Sequence, residues 1–158
     1  MSVEIERKYL IKNNKWKKHV REDQHITQGY IKTADATVRI RCYKDDRTAE
    51  IAVKGKRNGI SRLEFEYEIP YADAREMQDK LCQKRLIEKT RHLIEYQGML
   101  WELDEFHGDN EGLFVAEIEL TDENQAFELP DWVGKDVSYD SKYRNSQLCA
   151  KPYKEWKK

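Results

Sequence analysis

The sequence has little cysteine, and its three cysteines are far apart. Cys42, Cys82 and Cys149 are an odd number, and no two of them form a C-x-x-C pair. A disulfide framework or a structural zinc site needs paired or clustered cysteines, so both are disfavoured. Reduced thiols agree better with this set, and we therefore predict a cytoplasmic location.

Long apolar runs and an excess of one charge are missing as well. No stretch of about 18 apolar residues is present to span a membrane, and Glu4 interrupts the segment where a secretion signal would begin. The 29 Lys and Arg residues are balanced by 30 Asp and Glu residues. This balance argues against nucleic acid as a partner. We predict a soluble protein whose partners include neither a membrane nor nucleic acid.

Internal repeats and low-complexity linkers are also lacking, so the 158 residues predict a single domain over residues 1–158. What the sequence does have is charge. Asp, Glu, Lys and Arg make up 37% of the residues, well above the roughly 25% that is usual in soluble domains. Because the two signs cancel, the excess has to be explained by where these side chains lie.

Alternation of apolar and polar residues predicts a mainly β protein. Turn signals, such as residues 45–47 and the Asn-Gly pair at residues 58–59, separate the alternating segments. The predicted strands cover residues 3–11, 26–32, 37–44, 48–55, 61–69, 88–96, 99–106 and 113–120. Eight strands with short turns and little helix favour an antiparallel barrel or a strongly curved sheet.

Helical spacing interrupts the strand pattern in the middle of the chain. Ala74 and Met77 lie on one face of a predicted helix, with Asp73 as its N-terminal cap. Shorter helices are predicted over residues 122–127, with Thr121 as the cap, and over residues 141–150.

Charges of one sign share a face on several predicted strands. Residues two apart on a strand lie about 7 Å apart on the same face, so Arg39 and Arg41 repel each other unless an opposite charge lies between them. The other same-sign groups are Glu64, Glu66 and Glu68; Lys89 and Arg91; Glu102 and Asp104; and Glu117 and Glu119, whereas Glu4 and Glu6 share their face with Lys8. Closing such strands into a barrel would line its lumen with opposed acidic and basic patches.

Two interpretations of this pattern stay open at this point. An antiparallel sheet commonly exposes one face to water, which would give the same alternation without any site. In the other interpretation the charged faces point into a lumen and the apolar faces point outward. Carboxylates bind Mg²⁺ or Mn²⁺, and guanidinium and ammonium groups bind phosphate oxygens, so that lumen would suit a metal–polyphosphate complex.

The order of the motifs resembles the CYTH superfamily, whose members are also called triphosphate tunnel metalloenzymes. Residues 4–8 match the family's E-x-E-x-K signature. The match continues through VRIR, VKG, SRLEFEYEI, EKTR, WELDEF, GLFVAEIEL and LPDWVGKDVSYDSKYRNSQL, and so covers essentially the whole chain. The resemblance implies an eight-stranded antiparallel β-barrel tunnel with a few peripheral helices, which binds a triphosphate compound together with a divalent metal.

The resemblance also implies roles for individual residues. The phosphate ligands are expected to be Lys8, Arg39, Arg41, Lys54, Lys89 and Arg91, with Lys142 as a seventh. The metal ligands, direct or through water, are expected to be Glu4, Glu6, Asp104, Glu117 and Glu119. Glu64 and Glu66 match a further acidic pair that either touches metal or orders the basic residues.

Catalysis is assigned to Lys8, Tyr30 and Glu117. Tyr30 matches a tyrosine that contacts the lysine of E-x-E-x-K in short bacterial members; the alternative is that it is a core aromatic residue. No role is assigned to the histidines, which are His19, His25, His92 and His107.

The leading functional hypothesis is hydrolysis of inorganic triphosphate to diphosphate and phosphate, with Mg²⁺ or Mn²⁺ as the cofactor. One alternative within the same family is an adenylate cyclase of class IV type, and another is a hydrolase of thiamine or nucleoside triphosphates. A non-catalytic module that binds polyphosphate is the alternative from a different class. The short chain and the lack of an evident base-recognition segment favour inorganic triphosphate as the substrate. A homodimer is considered as the oligomeric state.

Overall fold

The computed structural model describes residues 2–156, and nine β-strands form the framework of this part of the chain. The strands are β1 (Val3–Ile11), β2 (Val20–Ile31), β3 (Thr37–Tyr43), β4 (Thr48–Lys54), β5 (Ser61–Ile69), β6 (Ile87–Tyr96), β7 (Met99–Phe106), β8 (Phe114–Glu119) and β9 (Val133–Asp136). The described α-helices are α1 (Tyr71–Lys80) and α2 (Asn145–Ala150). Short 3₁₀ turns lie at Lys15–His19, Gly108–Asn110, Ser141–Tyr143 and Tyr153–Glu155.

The first eight strands close into a barrel. Their order is β5-β4-β3-β2-β6-β7-β8-β1, and β1 pairs again with β5, where Val3 lies opposite Leu63. Each neighbouring pair in this circuit is antiparallel. Strand β9 adds to the other side of β1 and lies outside the circuit. The predicted eight-stranded antiparallel barrel is therefore confirmed, with one extra strand.

The apolar residues pack mainly on the outside of the barrel wall. Trp101 and Ile118 point outward from β7 and β8 and pack against Trp132, which precedes β9. On the opposite side, Ala74 of α1 packs against Ile40 and against other outward-facing residues of β3 and β4. Because side chains alternate along a strand, this outward packing leaves the charged face of each strand pointing into the lumen.

A third apolar cluster, which we call the apolar plug, closes one end of the lumen. Ile87, Phe106 and Val115 belong to the same strand faces as lumen residues, but they lie at the strand ends. Leu148 and Cys149 of α2 pack onto them. The C-terminal helix therefore covers this end of the barrel and places the residues at its start next to the lumen.

The helices differ from the sequence predictions in their details. The N-terminal cap of α1 is Pro70, so Asp73 lies inside the first turn and the predicted cap is wrong. A helix begins readily after proline because its φ is already fixed near the helical value, and Asp73 still suits the positive end of the helix dipole. Residues 141–150 form a 3₁₀ turn and α2, with an extended Arg144 between them, and not one continuous helix.

The helix predicted over residues 122–127 is absent from this described segment. The backbone N–H of Thr121 donates to the side-chain oxygen of Gln125 at 2.7 Å, which holds a turn. The predictions also missed β9, and they missed residues 20–25 of β2. After Val20 these residues are all polar and do not alternate, and pairing with β6 makes them a strand. No described helix has the length and apolar character needed to cross a bilayer.

Candidate active site

The barrel encloses a cavity of about 220 Å³ whose described lining residues are all polar. Its basic residues are Lys8, Arg39, Arg41, Lys54, Arg57, Arg62, Lys89, Arg91 and Arg144. Its acidic residues are Glu4, Glu6, Glu50, Glu64, Glu66, Glu102, Glu117 and Glu119. The charged strand faces thus converge on one space, and the interpretation of them as faces exposed to bulk water is wrong.

Six of the seven predicted phosphate ligands line this cavity and are buried: Lys8, Arg39, Arg41, Lys54, Lys89 and Arg91. They come from strands β1, β3, β4 and β6, so they surround the lumen. Lys142 lies elsewhere: it is exposed, and its ammonium group lies 4.7 Å from the centre of the Trp156 ring. Arg144, two residues later, lines the cavity.

Acidic residues hold the basic groups of one wall in place. The ammonium of Lys54 lies 2.9 Å from Glu64 and 3.3 Å from Glu4. The guanidinium of Arg39 donates to Glu66 at 2.9 Å. Glu64 and Glu66 therefore contact basic residues directly, which is one of the two roles considered for this pair.

Asp104 orders the basic groups that project from β6. It is completely buried behind the lining residues, and it accepts hydrogen bonds from Lys89 at 2.7 Å and from Arg91 at 2.8 Å. Burial favours the protonated form, but Arg91 and Lys89 outweigh it and keep the pKa of Asp104 below its ordinary value. The structure thus places this predicted metal ligand in contact with two cations, and its metal role stays a prediction.

Carboxylates crowd together where β1 meets β8. Glu6 lies opposite Glu119 in the strand register, and Lys8 lies opposite Glu117. Burial, together with the negative charges of Glu117 and Glu4, raises the pKa of Glu6 to about 8. The pKa of Glu119 is raised as well, by burial and by neighbouring carboxylates that include Glu4. Arg57 lies 3.3 Å from Glu6, so this part of the lumen holds closely spaced carboxylates with cations beside them.

Glu117 behaves differently because cations surround it. Its carboxylate lies 3.6 Å from the ammonium of Lys8. Burial alone would raise its pKa, but Lys8, Arg91 and Lys89 outweigh burial and hold the pKa of Glu117 well below its usual range. Glu117 is thus ionised at neutral pH. It lies between Glu4, Glu6 and Glu119, which we call the acidic cluster, and a basic wall formed by Arg39, Arg41, Lys89 and Arg91.

The acidic cluster suits a hard divalent cation in its chemistry. Its donors are carboxylate oxygens, and the raised pKa of Glu6 shows that a positive charge would relieve repulsion there. Within residues 2–156, no three His, Cys, Asp or Glu side chains are already arranged around a common metal position. The residues present therefore fit a divalent metal by donor type and charge, although they do not form a ready-made ligand set.

Tyr30 belongs both to the lumen and to the apolar cluster at its end. Its hydroxyl accepts a hydrogen bond from Gln28 at 3.0 Å, and burial raises its pKa to about 12. The ammonium of Lys8 donates to the carbonyl of Tyr143 at 3.4 Å. The structure therefore places Gln28, and not Lys8, as the hydrogen-bond partner of the Tyr30 hydroxyl.

Several lining residues were missed by the sequence predictions, although some of them carried a signal. Arg62 shares a strand face with Glu64, as Glu50 does with Lys54. Arg144 directly precedes α2 and Asn145 is its first residue, where no strand alternation marks them as lining residues. His92 of β6 is one of the histidines to which no role was assigned. It lies on the opposite face of the strand from Arg91 and contacts Asp23 and Glu105.

A closed antiparallel barrel with a charged lumen is the architecture that the motifs predicted. The CYTH domain family model matches residues 2–148, and the chain belongs to this family. It is 46% identical to an inorganic triphosphatase of Acetivibrio thermocellus, over 99% of each chain. It is 32% identical to an inorganic triphosphatase of Nitrosomonas europaea, over 93% of this chain and 97% of the relative.

The fold agrees with a solved structure as well. A crystal structure of an inorganic triphosphatase superposes with a TM-score of 0.62 at 28% identity, over 92% of this chain and 96% of that one. The family prediction made from the motifs is confirmed.

Proposed function

We propose that this protein hydrolyses inorganic triphosphate to diphosphate and phosphate inside the barrel, with a divalent metal. The observation that carries the proposal is the enclosed lumen, whose described lining residues are all polar and are divided between a basic wall and an acidic cluster. The two curated relatives are inorganic triphosphatases, and the chain matches both over nearly their full length.

The basic residues bind and orient the phosphate chain. Arg39 and Arg41 project from one wall, and Lys89 and Arg91 project from the neighbouring β6 side. Guanidinium groups can donate two parallel hydrogen bonds to phosphate oxygens. Burial, with Arg91 and Arg41 nearby, lowers the pKa of Lys89 to about 7, and the negative charge of a bound phosphate favours its protonated form.

Glu6, Glu117 and Glu119 are the residues that would hold the metal, with Glu4 beside them. When bound there, Mg²⁺ or Mn²⁺ would supply charge neutralisation and polarise a phosphoryl oxygen. Glu117, ionised and next to Lys8, orients the attacking water by accepting a hydrogen bond from it. Phosphoryl transfer needs mainly positioning and charge stabilisation, and a rigid lumen with its charges already in place provides both.

Inorganic triphosphate suits this lumen better than a nucleotide does. Among the described lining residues the only aromatic ones are Tyr30 and Tyr43, and none is aliphatic. Tyr30 is buried against the apolar plug, and the Tyr43 hydroxyl donates to Glu50 at 3.2 Å. A purine or thiamine ring would thus meet mostly charged groups, which it cannot bind by apolar contact. The acidic cluster argues against simple polyphosphate binding, since an anion site gains nothing from so many carboxylates.

Product analysis tests the proposal. Purified protein is incubated with triphosphate, ATP or thiamine triphosphate, each with Mg²⁺ or Mn²⁺, and all products are identified. We expect diphosphate and phosphate from triphosphate at a much higher rate than from the other two substrates. Cyclic AMP from ATP, or binding of triphosphate without turnover, would contradict the proposal. The choice between Mg²⁺ and Mn²⁺, a homodimer and a cytoplasmic location stay predictions.

A further inference from the structure

Gln28 lies at the centre of a hydrogen-bond network that neither the motifs nor the comparisons assign. Its side chain projects from β2 and is 1% exposed. The Nε of Arg41 donates to its Oε1 at 2.9 Å. Because arginine can only donate, this contact fixes which way the amide points, and the Nε2 of Gln28 must donate to its other neighbours.

The two remaining partners of Gln28 are Tyr30 and Asn145. Its Nε2 lies 3.0 Å from the Tyr30 hydroxyl and 2.9 Å from the Oδ1 of Asn145. Asn145 is the first residue of α2, more than a hundred residues away along the chain. The amide of Gln28 therefore joins β3, its own strand β2 and the C-terminal helix.

Asn145 extends the network to β6, which pairs with β2 on the side away from β3. Its Oδ1 also accepts from the ammonium of Lys89 at 3.0 Å. Both partners of this oxygen are donors, so the amide orientation of Asn145 is fixed as well. Lys89 continues to Asp104, which also holds Arg91. A continuous chain of hydrogen bonds thus links Arg41 with Lys89 and Arg91.

The position of Asn145 depends on how α2 packs. Leu148 and Cys149 hold this helix on the apolar plug together with Tyr30. The network consequently ties the closure of this end of the barrel to the placement of cations in the lumen. Every polar atom of the Gln28 amide has a partner, which is what makes a buried network rigid.

We propose that Gln28 is a positioning residue of the active site, which acts with Asn145 to hold Arg41 and Lys89 in the geometry that binds a phosphate chain. This inference rests on the proposed function. Gln28 holds Arg41 directly and Lys89 through Asn145, and it does not itself react with the substrate. Its loss therefore leaves the charges present but misplaced, and a misplacement of about 1 Å costs about 100-fold in rate.

The chain offers a matched control in Gln78, another buried glutamine. Its Nε2 donates to the backbone carbonyls of Thr27 at 2.9 Å and Ile40 at 3.0 Å, the neighbours of Gln28 and Arg41 in sequence. It is 5% exposed and fastens α1 to the outside of the same two strands. Replacing it removes buried hydrogen bonds from the same wall without touching the lumen.

The test is a double-mutant cycle with Gln28→Met and Asn145→Leu, and with Gln78→Met as the control. Steady-state triphosphate hydrolysis and metal-free triphosphate binding by calorimetry are both measured. We expect each single variant to lower kcat/KM by about 10- to 100-fold, mainly through kcat. The double variant should be no more than about twofold worse than the poorer single variant, because both residues act in one network. Gln78→Met should lower stability and leave both kinetic constants within about twofold of wild type.

Two results would overturn the inference: Gln28→Met within about twofold of wild type, or effects of the single variants that multiply in the double variant. If Gln28→Met does not fold, Gln28→Glu replaces it. The carboxylate still accepts from Arg41 but cannot donate to Asn145, so a rate equal to wild type would also overturn the inference. If the wild type binds triphosphate without hydrolysing it, the proposed function fails, and the binding measurements alone test the network.

Discussion

The carboxylate of Asp104 lies 2.7 Å from the ammonium of Lys89, and both side chains are 1% exposed. Strand register explains the contact, because Lys89 and Arg91 project into the lumen from β6 and Asp104 lies directly opposite Arg91 on β7. The acidic partner therefore lies behind the two cations and not in front of them. The basic wall of the lumen is held from behind, which leaves its donors directed at a ligand.

Asp104→Asn is expected to destabilise the protein and to weaken phosphate binding. Removing one partner from a buried ion pair leaves uncompensated charge, at a cost of about 3 to 5 kcal/mol in the free energy of unfolding. Urea unfolding measures this loss, and calorimetry with metal-free triphosphate measures binding. Asp109→Asn, which alters an exposed pair with Lys154, is the control and should change little. If Asp104→Asn lowers metal affinity while leaving stability and metal-free binding intact, Asp104 is a metal ligand.

The contribution of Glu6 to stability without metal is expected to fall as the pH rises. The pKa of Glu6 is about 8 in the folded protein, against an ordinary value of about 4.5. Between these values the folded state binds more protons than the unfolded state, so the stability from protonated Glu6 is present below pH 4.5 and is lost as the pH rises through 8.

Glu6→Gln removes this titration and should flatten the decline. Unfolding free energies of the wild type and the variant are measured from pH 5 to 8.5 with a chelator present. The two values should converge at low pH and differ at high pH by on the order of a few kcal/mol. Saturating Mg²⁺ or Mn²⁺ should restore the unfolding free energy of the wild type at high pH. The same metal should raise the unfolding free energy of the variant by less. Parallel curves for the two proteins would mean that Glu6 is not protonated in the folded state.

Arg39→Ala and Glu117→Ala should each lower metal-dependent phosphate release from triphosphate by about 10²- to 10³-fold. Each variant removes one charge that faces the lumen, Arg39 from the basic wall and Glu117 from between that wall and the acidic cluster. The matched control is Arg21→Ala, on the exposed part of β2, where the arginine pairs only with Glu95 at the surface. Unchanged rates in both lumen variants would remove the basis for the site.

Arg144 is expected to matter more for activity than Lys142. Arg144 lines the lumen, whereas Lys142 stacks on Trp156 in an exposed position. A hydrogen bond to a charged group contributes about 1.5 to 3 kcal/mol, so Arg144→Ala should lower kcat/KM by about 10-fold or more, and Lys142→Ala by less than about threefold. The opposite ranking would show that Lys142 reaches the substrate and would restore the role implied by the family resemblance.

The sequence predicts the barrel strands well because alternation of apolar and polar residues is a local property of each strand. In β1, β5 and β7 alternation of apolar and polar residues runs through the middle of the strand, and the predicted bounds match the structure. The first half of β2 could not be predicted, since its polar residues form a strand only by pairing with β6. Likewise the Gln125 side chain replaces a helical turn with a hydrogen bond that the sequence pattern does not predict.

The site residues also fall into those that the sequence predicts and those that it does not. Arg39, Lys89 and Glu117 could be placed from strand parity and motif because their neighbours two positions away fix their direction. Asp104 obeys the same parity, but its depth behind the lining depends on its contacts with the cations of the next strand. Asn145 reaches the lumen only because α2 packs on the apolar plug, and tertiary packing of this kind leaves no periodic signal.

A crystal structure of the protein with bound inorganic triphosphate tests the central claim most directly. The account predicts one triphosphate inside the barrel, with its phosphate oxygens within hydrogen-bond distance of Arg39, Arg41, Lys89 and Arg91, and with the acidic cluster at one side. Density for triphosphate only on the outer surface, with the lumen charges still paired to one another, would contradict it.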